Sequence, residues 1–77
     1  MLRVDLTKSD LELSQIITKL CSIFGIVRSI KIYRSPAAFA LVEMASQAET
    51  LALALRYGGS AFGSSVLIHL EQESHVG

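Results

Sequence analysis

"SPAAFALVEM", residues 35–44, decides the fold. Successive side chains of a strand point to opposite faces. Ala38, Ala40, Val42 and Met44 therefore share one face, and Phe39, Leu41 and Glu43 share the other. The first set is small and aliphatic throughout, which is a core face. The second pairs an aromatic and an aliphatic with a carboxylate, and it looks toward water.

Working outward, "IVRSIKIY" at 26–33 is β-branched and alternating, so it reads as the preceding strand. Ser35-Pro36 breaks the chain between the two, because Pro fixes φ and donates no hydrogen bond, and the two strands form a hairpin. Further upstream, Leu13, Ile16, Ile17, Leu20 and Phe24 recur at three- and four-residue intervals, an amphipathic helix. Ser9 and Glu12 have capping-box spacing at its start, and Gly25 reads as its terminating glycine. "LRVDL" at 2–6 alternates as a first strand. Downstream, Ser46 and Glu49 repeat the cap spacing before the strong helix formers of "QAETLALALRY". Gly58-Gly59 ends that helix, "SAFGSS" reads as a loop, and "VLIHLE" at 66–71 is the last strand.

The order β-α-β-β-α-β predicts an α+β, ferredoxin-like split βαβ sandwich: a four-stranded antiparallel sheet with two helices on one face. The crossover rule puts the first and third strands side by side at its centre. Residues 1–71 form one domain and 72–77 a solvated, flexible C-terminal tail.

Composition narrows the function classes. The 77 residues are 51% apolar, and seven basic residues balance seven acidic ones at a pI near 6.7. There is thus no global attraction to nucleic acid, though a local basic stripe remains open. Cys21, the single cysteine, lies in the helical apolar pattern and reads as a buried small hydrophobe, which fits a reducing compartment. The start "MLRVDL" has no signal-peptide pattern and no run approaches a membrane span. The chain therefore reads as a complete small protein, cytoplasmic, or nuclear if eukaryotic.

In the expected sheet the helix-free face carries Arg3 and Asp5 from the first strand and Ser29, Lys31 and Tyr33 from the second. Phe39, Leu41 and Glu43 come from the third, and Leu67, His69 and Glu71 from the last. Phe39, Leu41, Tyr33 and Leu67 form an apolar patch, with Arg3, Lys31 and Arg28 or Arg34 beside it. A monomer seldom leaves a large patch open without use.

From Leu2 to about Leu70 the chain resembles an RNA recognition motif domain. That family's octamer reads basic-Gly-aromatic-Gly/Ala-aromatic-Val-x-aromatic, and here it is Ala37-Ala38-Phe39-Ala40-Leu41-Val42-Glu43-Met44. "FGIVRSIKI" is similar to the family's helix exit and second strand, and "YGGSAFGSS" to its link into the last strand. The resemblance implies single-stranded RNA, with single-stranded DNA as a near equivalent, stacked across the open face. Phe39 matches the first octamer aromatic. Leu41 replaces the second, and Arg3 replaces the aromatic of the first strand, where it stacks or holds phosphate. Ala37 lacks the leading base. Lys31 and Arg34 would meet the backbone, Tyr33 would stack at the margin, and His69 completes the RNA-binding set.

The alternative is a protein-interaction or homodimerisation module using the same apolar face, which zero net charge and the acidic "HLEQES" favour. The family's peptide-binding branch uses Arg-x-Phe before the last strand, and Ser60-Ala61-Phe62 keeps only the Phe. Enzyme chemistry is not expected: no Ser/His/Asp set is present, and Asp5 and Glu43 on neighbouring strands do not make an acid–base pair. No cofactor or metal is expected, since His69 has no second ligand nearby and His75 falls in the tail.

Overall fold

Ser9 and Ser46 open the two helices of the computed structural model, which describes residues 1–73. In α1 (Asp10–Cys21), the Ser9 hydroxyl accepts from the Glu12 N–H, and the Glu12 carboxylate accepts from the Ser9 N–H at 3.2 Å. The capping box is complete. In α2 (Gln47–Tyr57), Ser46 accepts from the Glu49 N–H, but the Glu49 carboxylate reaches across to accept the Ile26 N–H at 2.9 Å. Half of that box is spent on holding the entry to the strand that begins at Val27.

Gly58, at φ 69, caps α2 where expected. Gly25 does not stop α1. That helix ends at Cys21 with Ser22 as cap, whose hydroxyl donates to the Lys19 carbonyl at 2.8 Å and so satisfies the helix end.

Among the described residues five strands form, one more than expected. They are β1 (Leu2–Val4), β2 (Val27–Tyr33), β3 (Phe39–Met44), β4 (Ser60–Phe62) and β5 (Ser65–Gln72). β1 is shorter than the alternation suggests, because the Asp5 carboxylate accepts from the Thr7 N–H at 3.0 Å and from the Thr7 hydroxyl. This Asx turn takes the chain out of the sheet after Val4. The β2–β3 hairpin forms as expected, from Tyr33 opposite Phe39 to Val27 opposite Met44. A bulge between Val27 and Ser29 re-phases Val27 toward the core.

The topology departs from the four-stranded antiparallel sheet. "SAFGSS" is no loop: β4, a two-residue turn and the start of β5 make a hairpin, with Phe62 opposite Ser65. Gly63 supplies the positive φ of 60 that such a turn requires. The hairpin adds a reversal after α2, so β5 runs antiparallel to β3 and pairs directly beside it, from Phe39↔His69 to Glu43↔Ser65. β1 is displaced to the outside of β5 and pairs with it in parallel, Leu2↔Leu70 to Val4↔Gln72. The sheet is therefore mixed and ordered β1-β5-β3-β2. β4 lies against the first half of β5, at 65–67, and β1 against the second, at 70–72.

Length and apolarity account for who takes the centre. Val66, Ile68 and Leu70 of the eight-residue β5 are all buried, whereas three-residue β1 offers only Leu2 and Val4. These pack with Ala40, Val42 and Met44 of β3 under Leu13, Ile17 and Cys21 of α1 and Leu53 and Tyr57 of α2, so both helices lie on one side of the sheet. Cys21 is fully buried, and burial pushes its thiol up to about 11.

The expected tail boundary moves. Gln72 belongs to β5, its amide accepting from the Leu6 N–H at 2.9 Å, and the Glu73 N–H donates to the Val4 carbonyl. The remainder of that tail, His75 included, lies outside the described residues. Among those residues no helix is long and apolar enough to cross a membrane.

Candidate nucleic-acid interface

Register lays the helix-free face out in cross-strand rows. Tyr33, Phe39 and His69 are paired in sequence across β2, β3 and β5; Lys31, Leu41 and Leu67 form the next row, and Ser29, Glu43 and Ser65 the third. Arg3 and Glu71 face each other beyond them, where β1 meets β5. Six of the seven candidate residues, Arg3, Lys31, Tyr33, Phe39, Leu41 and His69, thus share one face.

The aromatic row is its most structured part. Tyr33 and Phe39 stack with centroids 4.9 Å apart and planes 21° from parallel. That separation exceeds the roughly 3.5–4.0 Å contact distance of carbon atoms. The rings are therefore slid past one another, and each keeps part of a face uncovered. On the other side His69 sits 6.3 Å from Phe39, tilted by 56°. Tyr33 is 39% exposed, Phe39 is half-buried and His69 is exposed.

β1 does not lie beside β3, so Arg3 is not the neighbour of Phe39. β5 stands between them, and His69 holds the position next to Phe39 that the family resemblance assigned to the first strand. The same displacement separates Asp5 from Glu43, which were expected on adjacent strands. Asp5 has left the sheet altogether, and its Thr7 hydrogen bonds hold its carboxyl below the usual carboxylate range. Arg3 lies 4.0 Å from Glu71, both side chains more than half exposed, so the pair is loose and contributes little.

Arg34 is not on this face. Its guanidinium donates to Asp10 at 2.9 Å, to the Leu6 carbonyl at 2.7 Å and to the Lys8 carbonyl at 2.8 Å. It clamps the end of β2 to the β1–α1 loop. Phe62, the remnant of the peptide-binding motif, is 63% exposed on β4. Sequence reasoning missed the contact between Tyr33 and Phe39. The signal was present: the two residues flank the Ser35-Pro36 turn symmetrically enough to be cross-strand partners.

The face is flat. Among the described residues there is no enclosed pocket and no group of His, Cys, Asp and Glu able to hold a metal ion. Its charges balance, with Arg3 and Lys31 against Glu43 and Glu71. An open surface with a ring row, an aliphatic pair and two cations can take a planar, extended ligand by stacking, with limited electrostatic help.

Fold and site together define a class: a small α+β domain whose mixed sheet leaves one aromatic-bearing face uncovered by its helices. No family model, curated protein or solved structure matches the chain.

Proposed function

We propose that this protein binds single-stranded nucleic acid, RNA foremost, across the open sheet face, as a divergent relative of the RNA recognition motif. The observation that carries the reading is the Tyr33–Phe39–His69 row, three strands wide on the face away from the helices. Successive bases would stack on the uncovered parts of Tyr33 and Phe39, Leu41 and Leu67 would support a sugar or base edge, and Lys31 and Arg3 would meet phosphates. Two stacked bases contribute about 2–6 kcal/mol, short of the roughly 8 kcal/mol of a micromolar complex. The two cations add only a modest, salt-screened increment, so binding is micromolar or weaker and salt-dependent.

The test is a fluorescence-anisotropy titration of a short labelled single-stranded RNA against wild type and Phe39→Ala over a salt series. Two phosphate contacts give a log–log salt slope of about −1.4, and Phe39→Ala binds more weakly at every salt. Equal and negligible binding by both proteins ends this reading.

One observation favours a second reading, a protein-docking face. Leu41 and Leu67 are paired at the centre of a charge-balanced surface, an apolar middle with a polar rim as protein interfaces have. A wild type that ignores RNA, and whose sheet-face resonances shift with its own concentration, would select it.

A further inference from the structure

Phe62 takes no part in the core, and at 63% exposure its ring is the barest Phe or Tyr among the described residues. Register puts it on the helix-free face. Ser60 lies opposite Leu67 and Phe62 opposite Ser65, while Ala61 between them faces buried Val66 on the core side. Phe62 thus extends the row Ser29, Glu43, Ser65 to a fourth strand. The turn beside it is held from two sides. The fully buried Thr50 of α2 donates its hydroxyl to the Gly63 carbonyl at 2.7 Å, and the Met44 N–H donates to the Ser64 carbonyl at 2.8 Å. The backbone under the ring is therefore set before any ligand arrives, which lowers the ordering cost of binding.

We infer that Phe62 is a second base-stacking position for the same single strand, at the far corner of the face from the Tyr33–Phe39–His69 row. The inference rests on the RNA reading above and adds a length requirement to it. Phe39 and Phe62 flank β5 on opposite sides, one level with His69 and the other with Ser65. At about 3.3 Å per residue along a strand and about 4.8 Å between strands, they lie about 16 Å apart. The ground between them is continuous with the aromatic row: Leu41 and Leu67 fill its middle, with Lys31 at one end and Ser60 at the other. Glu43, in the same row as Phe62, repels phosphate, so that row favours a base over the backbone. A stacked trinucleotide spans about 7 Å and cannot reach both positions, whereas a stacked octanucleotide spans about 24 Å and can.

The experiment is a fluorescence-anisotropy titration of two labelled oligocytidylates, a trinucleotide and an octanucleotide, against wild type, Phe39→Ala, Phe62→Ala and Phe62→Tyr. Wild type should bind the octanucleotide more tightly than the trinucleotide. Phe62→Ala should weaken the octanucleotide by about five-fold or more, the least that one stacked base supplies, and leave the trinucleotide unchanged. Phe62→Tyr keeps a ring and should keep the octanucleotide affinity. Phe39→Ala should weaken both lengths. The fold is not penalised, because the side chain is exposed, and circular dichroism checks this. If Phe39→Ala weakens binding while Phe62→Ala leaves the octanucleotide untouched, the second position is overturned and the RNA reading stands. Equal weakening of both lengths by Phe62→Ala overturns it too. A wild type that binds neither length ends the RNA reading and this inference with it.

Discussion

Phe39 has Tyr33 on one side and His69 on the other, and Arg3 lies beyond β5, two residues further along it than His69. The aromatic row therefore runs β2–β3–β5, and on the proposed reading the first strand serves only its margin.

An order of sensitivity in RNA binding follows. Tyr33→Ala and Phe39→Ala each lose a stacking surface worth about 1–3 kcal/mol, roughly a five- to 140-fold weaker complex. Arg3→Ala removes one phosphate contact, which shows as a salt slope shallower by about 0.7 and not as a collapse of affinity. His69→Ala falls between. If Arg3→Ala weakened binding as much as Phe39→Ala, the place beside Phe39 would belong functionally to β1, and the platform would be misassigned.

Arg34 and Lys31, two cations of one strand and its exit, should separate cleanly. Arg34→Ala breaks three hydrogen bonds that join β2 to the β1–α1 loop. With the side chain 40% exposed, the loss is about 1–2 kcal/mol of folding stability in a urea titration, and the salt slope of RNA binding stays unchanged. Lys31→Ala does the reverse, with stability within about 0.5 kcal/mol and a slope shallower by about 0.7.

Most of this architecture was legible in the chain, and the reasons for the misses are local. Helix α2 was readable to the residue because Ser46 and Gly58 bracket a run of strong helix formers. The β2–β3 hairpin was readable because two alternating runs flank Ser35-Pro36. The sheet order was not, because it turns on "SAFGSS", a short polar stretch that looks the same whether it is a loop or a hairpin turn. Once Gly63 reverses the chain, β5 must run opposite to β3, and the central place follows. The site suffered from the same stretch: its residues were readable from alternation alone, but their neighbours were not. Arg34 was misplaced for another reason. A long side chain at a strand end has several backbone carbonyls within reach, and alternation says nothing about which of them it takes.

Gly25 and Glu49 form a steric pair. Gly25 has φ +153, and a Cβ placed on it would occupy the position of the Glu49 carboxylate, which accepts from the Ser46 hydroxyl and from the Ile26 N–H. Gly25→Ala should cost about 2 kcal/mol or more through strain and the displaced carboxylate. Adding Glu49→Ala frees the space, so the double variant loses less than the sum of the singles. Strict additivity in a double-mutant cycle would show that the two do not share that space.

Stability should fall on the acid side. Hydrogen bonds from the Ser9 backbone and hydroxyl hold Glu12 below the ordinary 4.5, and those from the Ile26 backbone and Ser46 hydroxyl do the same for Glu49. A carboxyl depressed in the folded state binds protons more readily when unfolded, so these contributions are complete above 4.5 and are lost as pH drops through the depressed values. Denaturation midpoints at successive pH values should be level near neutrality and decline below about 4.5. Glu12→Gln should make that decline shallower. A flat acid limb would rule out this linkage.

β5 touches three other strands, and among the described residues it is the last of seven elements in chain order. Leu2 finds its sheet partner only at Leu70, and Phe39 acquires its second ring only with His69. During synthesis the β2–β3 hairpin can close as soon as it emerges, while the first strand has no neighbour until β5 has been made. The nucleus should therefore form at the β2–β3 hairpin, with β1 and β5 joining late and together. Such long-range closure slows folding. It also means that one strand carries the closing of the sheet and the proposed ligand site alike: a nascent chain that has not delivered β5 has neither a closed sheet nor a complete aromatic row.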